Sequence, residues 1–288
     1  MAGQEKKRRP FFWVVLALVL LQAPFGGRGG LADQQVILRI GGTGGAYGGM
    51  KVLAQAFQRQ DPQIQVVFPS TLGSTGGIKA VLAGAIDIAL STRPLTPKET
   101  QGGAVAHLYA RTPFVFATPD KQEAAAAHFT LNDIAAIYAG TNSTWPDGSP
   151  LRLVVRPESD YDSDLLKNMS PAMAKAVSQA QARRGMRIAV TDTDNANILV
   201  DLKGGLGSIG LAQMVADKLP LYPLSLTGVT PSLETLKNGT YSYSKSFSLV
   251  TGSSPKPEAR KFVQFVFSPQ GREILKQTGH LPEIRSHD

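Results

Sequence analysis

The feature that most constrains the fold is a regular alternation of short apolar runs and longer amphipathic segments over residues 36–101. QVILRIGG alternates apolar and polar residues and ends in glycines, which predicts a strand that enters a loop. GMKVLAQAFQRQDP has helical spacing and stops at Pro62. IQVVFPS and AIDIAL predict two more strands, with a second helix between them. Strand and helix in such short, alternating units predict an α/β layer with a largely parallel sheet.

The same pattern recurs after residue 116. TLNDIAAIYAG predicts a helix with Thr130 as its N-cap and Gly140 at its end. LRLVVRPES predicts a strand that runs into a polar loop, and RIAVTDTDNANILVDLKGGLGSIGLAQM predicts strand, capped helix, glycine turn and strand. PEARKFVQFVFSPQGREILKQTGHLPE predicts two terminal helices divided at Pro269. A second α/β lobe is therefore expected.

The first 32 residues have the layout of a secretory signal peptide. Basic EKKRRP precedes the uncharged apolar run FFWVVLALVLLQAPF, and small residues then lead to a plausible cleavage site after Ala32. The apolar run is shorter than the roughly 20 residues of a membrane span, although an uncleaved anchor is the alternative interpretation. The sequence has no cysteine, so neither a lipid-modified cysteine nor a disulfide is expected. We expect a secreted, periplasmic protein that is not a lipoprotein.

The formal charge of +8 would suggest nucleic-acid binding, but the positions of the charges along the chain do not support it. Five of the 30 basic residues and one of the 22 acidic residues lie in residues 1–32, which leaves +4 for the remainder. No basic stripe with interleaved aromatics is present, so no nucleic-acid partner is expected. The four histidines show no metal-ligand spacing, and no Gly-x-Ser-x-Gly motif occurs. The sequence predicts no metal site, no cofactor and no catalytic residue.

Three loops rich in glycine and hydroxyl residues follow predicted strands, namely GGTGGAYGG, TLGSTGG and STRPLT. Ligands of open α/β sheets bind beyond the carboxyl ends of strands, where helix N-termini present free N–H groups. Hydroxyl donors and the guanidinium fork of Arg93 suit a tetrahedral oxyanion. GGTGGAYGG lacks dinucleotide-binding spacing, and glycine loops that are merely turns are the alternative. The candidate residues in these loops are Thr43, Gly44, Gly45, Ser74, Thr75, Gly76, Ser91, Thr92 and Arg93.

GSTGGIKAVLAGAIDIALSTRPLTPKE resembles the corresponding stretch of the phosphate-binding proteins of bacterial phosphate ABC transporters. The resemblance continues through RTPFVFATPD, LNDIAAIYAGTNSTWPDGSPLRLVVRPES, GGLGSIGLAQM and KFVQFVFSPQGREILKQTGHLPE, and it extends in order from Val36 to Glu283. It implies a two-lobed type II periplasmic-binding-protein fold, in which each lobe is a mixed or parallel sheet flanked by helices. PFVFATP and SKSFSLVTG would be the two crossing segments. The expected organisation is signal peptide 1–32, first lobe 36–115, second lobe 116–245 and a return to the first lobe at 246–288.

The resemblance also implies a site. The family holds phosphate through hydroxyls and N–H groups of both lobes, one arginine, and an acid that accepts the phosphate proton. Ser74 matches the first-lobe serine, and Arg156 matches the second-lobe arginine. The family's first-loop threonine falls at Gly44 or Gly45, and its proton-accepting acid falls at Thr92.

The second-lobe Ser-Gly-Thr of the family falls on Asp160, Tyr161 and Asp162, so a donor-rich loop has become acidic. Two carboxylates near a dianion repel it in a poorly solvated cleft. Three explanations are open. The register is shifted so that Ser159 and Ser163 supply the hydroxyls, the acids point to solvent, or the ligand is not phosphate.

The function that the resemblance implies is that of a monomeric, non-catalytic solute-binding protein. It would capture a small inorganic anion, phosphate or a related oxyanion, between its lobes and deliver it to an inner-membrane ABC permease. One alternative is a periplasmic sensor of the same fold that signals to a membrane receptor. Others are an enzyme such as a phosphatase, for which no nucleophile–base pair is evident, and a member that binds no solute and serves as an interaction module.

Overall fold

The structure is a computed structural model that describes residues 35–284 together with Ala2. The predicted signal peptide lies, apart from Ala2, outside the described residues. No helix in the described part of the chain has the length and apolar character needed to span a membrane. The strands are β1 (Val36–Gly42), β2 (Ile64–Val67), β3 (Ile88–Ser91), β4 (Val105–Thr118), β5 (Arg152–Val155), β6 (Arg187–Ile188), β7 (Gly205–Gly210), β8 (Tyr222–Pro223), β9 (Ser244–Thr251) and β10 (Leu281–Pro282).

Helices cover both faces of these strands, and a 3-10 turn (Gly44–Ala46) follows β1. The helices are α1 (Tyr47–Gln60), α2 (Gly73–Leu82), α3 (Pro97–Gln101), α4 (Lys121–Ala126), α5 (Leu131–Ala139), α6 (Tyr161–Lys167), α7 (Pro171–Ala182), α8 (Asp192–Asp201), α9 (Leu211–Ala216), α10 (Leu233–Lys237), α11 (Pro257–Phe267) and α12 (Pro269–Gln277).

The strands form one path in the order β2-β1-β3-β9-β4-β7-β5-β6. The outer pairs β1–β2, β1–β3, β5–β6 and β5–β7 are parallel, whereas β9 pairs antiparallel with both β3 and β4. Strand β4 pairs with β9 along 105–113 and with β7 along 114–117. The sheet is therefore mixed rather than largely parallel, because the two central strands run against their neighbours.

Two large hydrophobic cores lie on either side of this crossing strand. One core packs α1, α11 and α12 on β1, β3 and β9, with Phe57 and Phe262 in edge-to-face contact at 5.2 Å. We call this side the first lobe. The other core is built within residues 114–241 and centres on α5, α7 and β7, and we call it the second lobe. The lobe boundaries at 115/116 and 245/246 stay predictions, since β4 and β9 run through the junction without a break.

Local signals set the ends of several helices. Thr130 accepts a hydrogen bond from the Asp133 N–H, and the Asp133 carboxylate accepts one from the Thr130 N–H, which completes a capping box at the start of α5. The helix ends at Gly140, whose φ is +80°. Ser268 caps α12 ahead of Pro269. Each of these ends agrees with the sequence-based prediction.

Glycines allow β1 and α2 to approach each other at the edge of the sheet. Gly42 has a φ of +135°, and a Cβ there would lie 2.2 Å from the Leu90 carbonyl oxygen. A Cβ on Gly77 would lie 2.8 Å from the Gly42 Cα. Residues with side chains cannot occupy either position without moving the backbone. The glycines of TLGSTGG therefore allow α2 to start close to the end of β1.

Candidate functional site

A cavity of about 190 Å³ lies where loops of the two lobes face each other. First-lobe residues reach it from the loops after β1, β2 and β3, second-lobe residues reach it from the loops after β5 and β6, and Lys245 reaches it from β9. The lining residues are Thr43, Gly44, Thr71, Leu72, Gly73, Ser74, Thr75, Thr92, Arg93, Arg156, Ser159, Asp160, Tyr161, Asp162, Val190, Thr191, Asp192 and Lys245.

The structure brings most of the sequence-predicted residues to this cavity. Those that line it are Thr43, Gly44, Ser74, Thr75, Thr92, Arg93, Arg156, Ser159, Asp160 and Asp162. Three others lie behind it. Gly45 donates its N–H to Asp192 (3.1 Å), Ser91 bonds the backbone of Arg93, and a Cβ on Gly76 would face Leu72. Whether these residues bind a solute stays a prediction.

Helix α2 directs its N-terminus at the cavity from the first lobe. Gly73 and Ser74 line the cavity, and no side chain of the described residues caps the helix. The Ser74 hydroxyl accepts a hydrogen bond from the Thr92 N–H (3.1 Å), which fixes the loop after β3 against the helix. The N–H groups of a first helical turn lack intrahelical partners and carry partial positive charge. This end of the cavity therefore offers hydrogen-bond donors to an anion.

Arg93 is held within its own lobe. Its Nη2 lies 2.7 Å from Glu99 Oε1, its Nε and Nη2 both contact the Thr75 hydroxyl, and its Nη1 bonds the Pro94 carbonyl. The hydrogen bond from Arg93 lowers the pKa of Glu99 to about 2, so this carboxylate is ionised at neutral pH. Arg93 thus brings a neutralised ion pair to the cavity wall rather than a free cation.

Arg156 has a carboxylate partner within the second lobe. The Arg156 side chain is 2% exposed, and its Nε and Nη2 form a fork on Asp160 at 3.2 and 2.6 Å. Its Nη1 donates to the Ala189 carbonyl. Asp160 is also the N-cap of α6 and accepts from the Asp162 N–H. The bidentate pair fixes the guanidinium at the cavity wall.

Two charged residues of the cavity lining were not identified in the sequence, namely Asp192 and Lys245. Lys245 Nζ lies 2.6 Å from Asp162 Oδ1 and 3.2 Å from Asp192 Oδ1. The other Asp192 oxygen accepts hydrogen bonds from the Thr43 hydroxyl and the Gly45 N–H. Asp192 lies at the start of α8 in the second lobe, whereas Thr43 and Gly45 lie in the first. This carboxylate therefore joins the two lobes.

These contacts shift the pKa values of the two acids in opposite directions. Burial by itself raises the pKa of Asp192, but Lys245 and Arg156, with the Thr43 hydrogen bond, bring it well below its usual value. Burial also raises the pKa of Asp162, and although Lys245 opposes this, the value remains at about 6. The two acids raise the pKa of Lys245 despite its burial. At neutral pH the three side chains are therefore charged.

The positions of the acids bear on the three explanations for the acidic loop. Ser163 is buried, and its hydroxyl lies 2.8 Å from the Pro157 carbonyl oxygen and 3.3 Å from that of Arg156, so this hydroxyl is used within the second lobe, whereas Ser159 lines the cavity. Asp160 and Asp162 line the cavity, with side chains 24% and 3% exposed, so they do not project into solvent. The two acids therefore form part of the cavity wall, and the choice between phosphate and another oxyanion stays a prediction.

Comparison with known proteins identifies the family. The model of the PBP superfamily domain matches residues 30–270. This chain belongs to that superfamily. A curated relative, the phosphate-binding protein PstS of Borreliella burgdorferi, is 25% identical over 260 residues, which cover 86% of this chain and 91% of that protein.

Solved structures share the fold of this PBP superfamily member. One is a putative phosphate ABC transporter substrate-binding protein from Clostridium perfringens, solved with bound phosphate. Its TM-score is 0.72 at 19% identity, and the match covers 86% of this chain and 99% of that chain. An ABC-type phosphate transport receptor from Vibrio cholerae has a TM-score of 0.61 at 19% identity, with 85% and 99% covered. The expected two-lobed fold and the resemblance to phosphate-binding proteins are both confirmed.

Proposed function

We propose that this chain is a solute-binding protein that captures a small oxyanion, namely phosphate, between its two lobes and delivers it to a membrane transporter. The observation that carries the proposal is the convergence of the α2 N-terminus and Arg156 on one cavity from opposite lobes. The named functions of the relatives support phosphate as the solute. No catalytic step is part of the proposal.

Contacts on both lobes give the solute a way to change the protein's conformation. A solute shifts an equilibrium between open and closed lobes only by its difference in affinity for the two states. A solute bound to Ser74 and Thr92 alone would leave the second lobe free, whereas one that also contacts the Arg156 wall favours the closed form. Closure of this kind is how a binding protein signals occupancy to its partner.

The transporter and the location follow from the same proposal. The solved relatives are named as receptors or substrate-binding proteins of ABC-type phosphate transport, and we extend that partner to this chain. Secretion to the periplasm, removal of residues 1–32 and a monomeric state belong to the proposal as well. A pull-down of an inner-membrane ABC permease by the tagged chain would test the partner directly.

The test of the proposal is calorimetric titration of residues 33–288 with phosphate. We expect saturable binding of one phosphate per chain. In Arg156→Lys we expect the affinity for phosphate to fall about 10-fold or more, because hydrogen bonds to charged groups contribute about 1.5–3 kcal/mol. Arg152→Lys is the matched control, since Arg152 begins β5, the strand that Arg156 follows, but lies outside the cavity lining and donates to the Lys203 carbonyl. A folded wild-type chain that shows no heat and no thermal stabilisation with phosphate up to millimolar concentration would contradict the proposal.

A further inference from the structure

Ionisable side chains form a cluster at the inner wall of the cavity. The inner cluster, as we call it, consists of Arg156, Asp160, Asp162, Asp192 and Lys245. These side chains carry three negative and two positive charges, so the inner cluster has a net charge of −1 when all are ionised. Elsewhere on the described lining, the charge of Arg93 is balanced by Glu99. No excess positive charge therefore remains in this part of the chain to balance a bound anion.

Within the inner cluster, Asp192 already uses donors that would suit an oxyanion. Its two oxygens take the Thr43 hydroxyl, the Gly45 N–H and the Lys245 ammonium, and Arg156 Nη2 lies 3.6 Å away. These donors come from the first lobe, from β9 and from the second lobe. A tethered carboxylate thus occupies a position between the lobes that is lined by donors and cations. Any solute in the cavity must bind beside this fixed negative charge.

We propose that the cleft selects oxyanions that carry a single negative charge, and that Asp192 is the residue that sets this limit. The proposal rests on the proposed function, because it concerns the same cavity and the same solute class. It names the solute more narrowly, as dihydrogen phosphate or another singly charged oxyanion in preference to a dianion.

Electrostatic repulsion is the physical basis of this limit. A dianion beside a cluster of net charge −1 meets twice the repulsion that a monoanion meets, and repulsion between partly buried charges is screened little by salt. The donors on the opposite wall, at the α2 N-terminus, carry about half an elementary charge in total. That partial charge attracts a dianion twice as strongly as a monoanion, so it offsets the same share of the repulsion for both, and the net repulsion that remains is twice as large for a dianion.

The groups around Asp192 also define how pH acts on the protein itself. Lys245 faces it from β9, Arg156 from the loop after β5, and Asp160 and Asp162 from α6. Asp162 has a pKa of about 6, so the inner cluster reaches its full negative charge only above that pH. Protonation of Asp162 below pH 6 and protonation of phosphate itself therefore act in the same direction. Both favour binding of phosphate at low pH.

The experiment compares phosphate affinity at about pH 5, where phosphate is singly charged, with that at about pH 8, where the doubly charged form dominates. For the wild type, we expect the dissociation constant for phosphate to be at least tenfold larger at the higher pH, which means weaker binding. In Asp192→Asn, which keeps the shape and removes the charge, we expect less than threefold difference. Asp194→Asn is the matched control, because Asp194 lies in the same first turn of α8 but caps the helix outside the cavity lining. It should retain the wild-type pH dependence.

Sulfate provides a solute whose charge does not change over this pH range. At about pH 8 we expect it to bind at least tenfold more tightly to Asp192→Asn than to the wild type. If Asp192→Asn does not fold, Asp160→Asn serves instead, since its side chain is 24% exposed and belongs to the same inner cluster. It too should reduce the pH dependence.

The outcomes separate this inference from the proposed function. A wild-type chain that binds phosphate equally or more tightly at about pH 8 overturns the charge limit but leaves phosphate capture intact. Equal pH dependence in the wild type and the charge-removing variant assigns the effect to the solute alone and overturns the role of Asp192. Absence of phosphate binding at both pH values contradicts the proposed function as well.

Discussion

Lys245→Met removes the cation that lies between two buried carboxylates, and we expect a large loss of stability. The lysine side chain is 3% exposed, and its Nζ lies 2.6 Å from Asp162 and 3.2 Å from Asp192. Methionine is unbranched like lysine and one atom shorter, so it retains most of the packing but leaves both acids without this partner. The cost arises from the charges that remain buried rather than from lost packing.

The magnitude follows from these distances. At an effective dielectric constant of about 20, the two contacts correspond to gross attractions of about 6 and about 5 kcal/mol. Desolvation of the charges offsets much of this attraction, and removal of one partner from a buried pair costs about 3–5 kcal/mol in practice. We therefore expect the free energy of unfolding to fall by about 3–5 kcal/mol at about pH 8.

The assay is urea unfolding of residues 33–288, followed by circular dichroism at about pH 8 and about pH 5. Lys261→Met is the matched control, because Lys261 also pairs with an aspartate at 2.7 Å, but its side chain is 57% exposed. Exposed pairs contribute about 0–1 kcal/mol, so this variant should lose no more than that. The shorter Lys245 contact and the Lys261 contact have nearly equal distances, so the two variants differ in burial and in the second acid, Asp192, that only Lys245 contacts.

The pH dependence gives a second check. The pKa of Asp162 is about 6 in the folded wild type and rises further without Lys245, whereas the unfolded chain has its ordinary lower value. The folded variant therefore binds a proton that the unfolded chain does not, and its stability rises as pH falls through this range. The loss caused by Lys245→Met should be smaller at about pH 5 than at about pH 8. A loss below about 1 kcal/mol at about pH 8, or a larger loss at acid pH, would refute the reasoning.

Two further predictions concern the first lobe. Burial lowers the pKa of His280 to about 4, so the unfolded chain accepts a proton on this imidazole at a higher pH than the folded chain does. The contribution of His280 to stability should therefore fall by about 2 kcal/mol from about pH 7 to about pH 5, opposite in sign to that of Asp162. His280→Asn should remove that part of the loss in urea unfolding, and an unchanged acid slope would contradict this. Gly42→Ala should destabilise by more than about 2 kcal/mol through its positive φ and the contact with the Leu90 carbonyl. Gly148→Ala, also at positive φ but with no described atom within 4 Å, should cost only about 1 kcal/mol, and equal losses would refute the argument.

Elements with local signals were predictable from the sequence. The capping box at Thr130 and the glycine at 140 lie within a few residues of the helix that they end, so a short window contains all of the information. The two-residue strands β8 and β10 were missed because neither has a period to detect, and both form by pairing with β4. Helix α4 was missed in an alanine-rich stretch that has little amphipathic pattern. Tertiary pairing, rather than propensity, determines the two short strands.

The site residues likewise fall into those with local sequence signals and those whose partners lie far away in the sequence. The glycine and hydroxyl loops were identifiable because several signals lie together after a strand. Asp192 was missed because an acid in the first turn of a capped helix has a sufficient local explanation, and its contact with Thr43 joins residues 149 positions apart. Lys245 did leave a signal, because it shares the inward face of β9 with Phe247 and Leu249, both buried. A lysine in an apolar register indicates a buried partner, although the sequence does not say which acid supplies it.

The continuous strands at the centre of the sheet have a consequence for the order in which the chain folds. The core of the second lobe lies within residues 114–241, a single stretch of chain, whereas the first lobe needs β9, α11 and α12 from beyond it. A ribosome therefore completes the second lobe while the first still lacks the strand that separates β3 from β4. Until β9 arrives, the edge of β3 is an unpaired template for other chains. Aggregation during synthesis should therefore begin at the first lobe, even though its residues are made first.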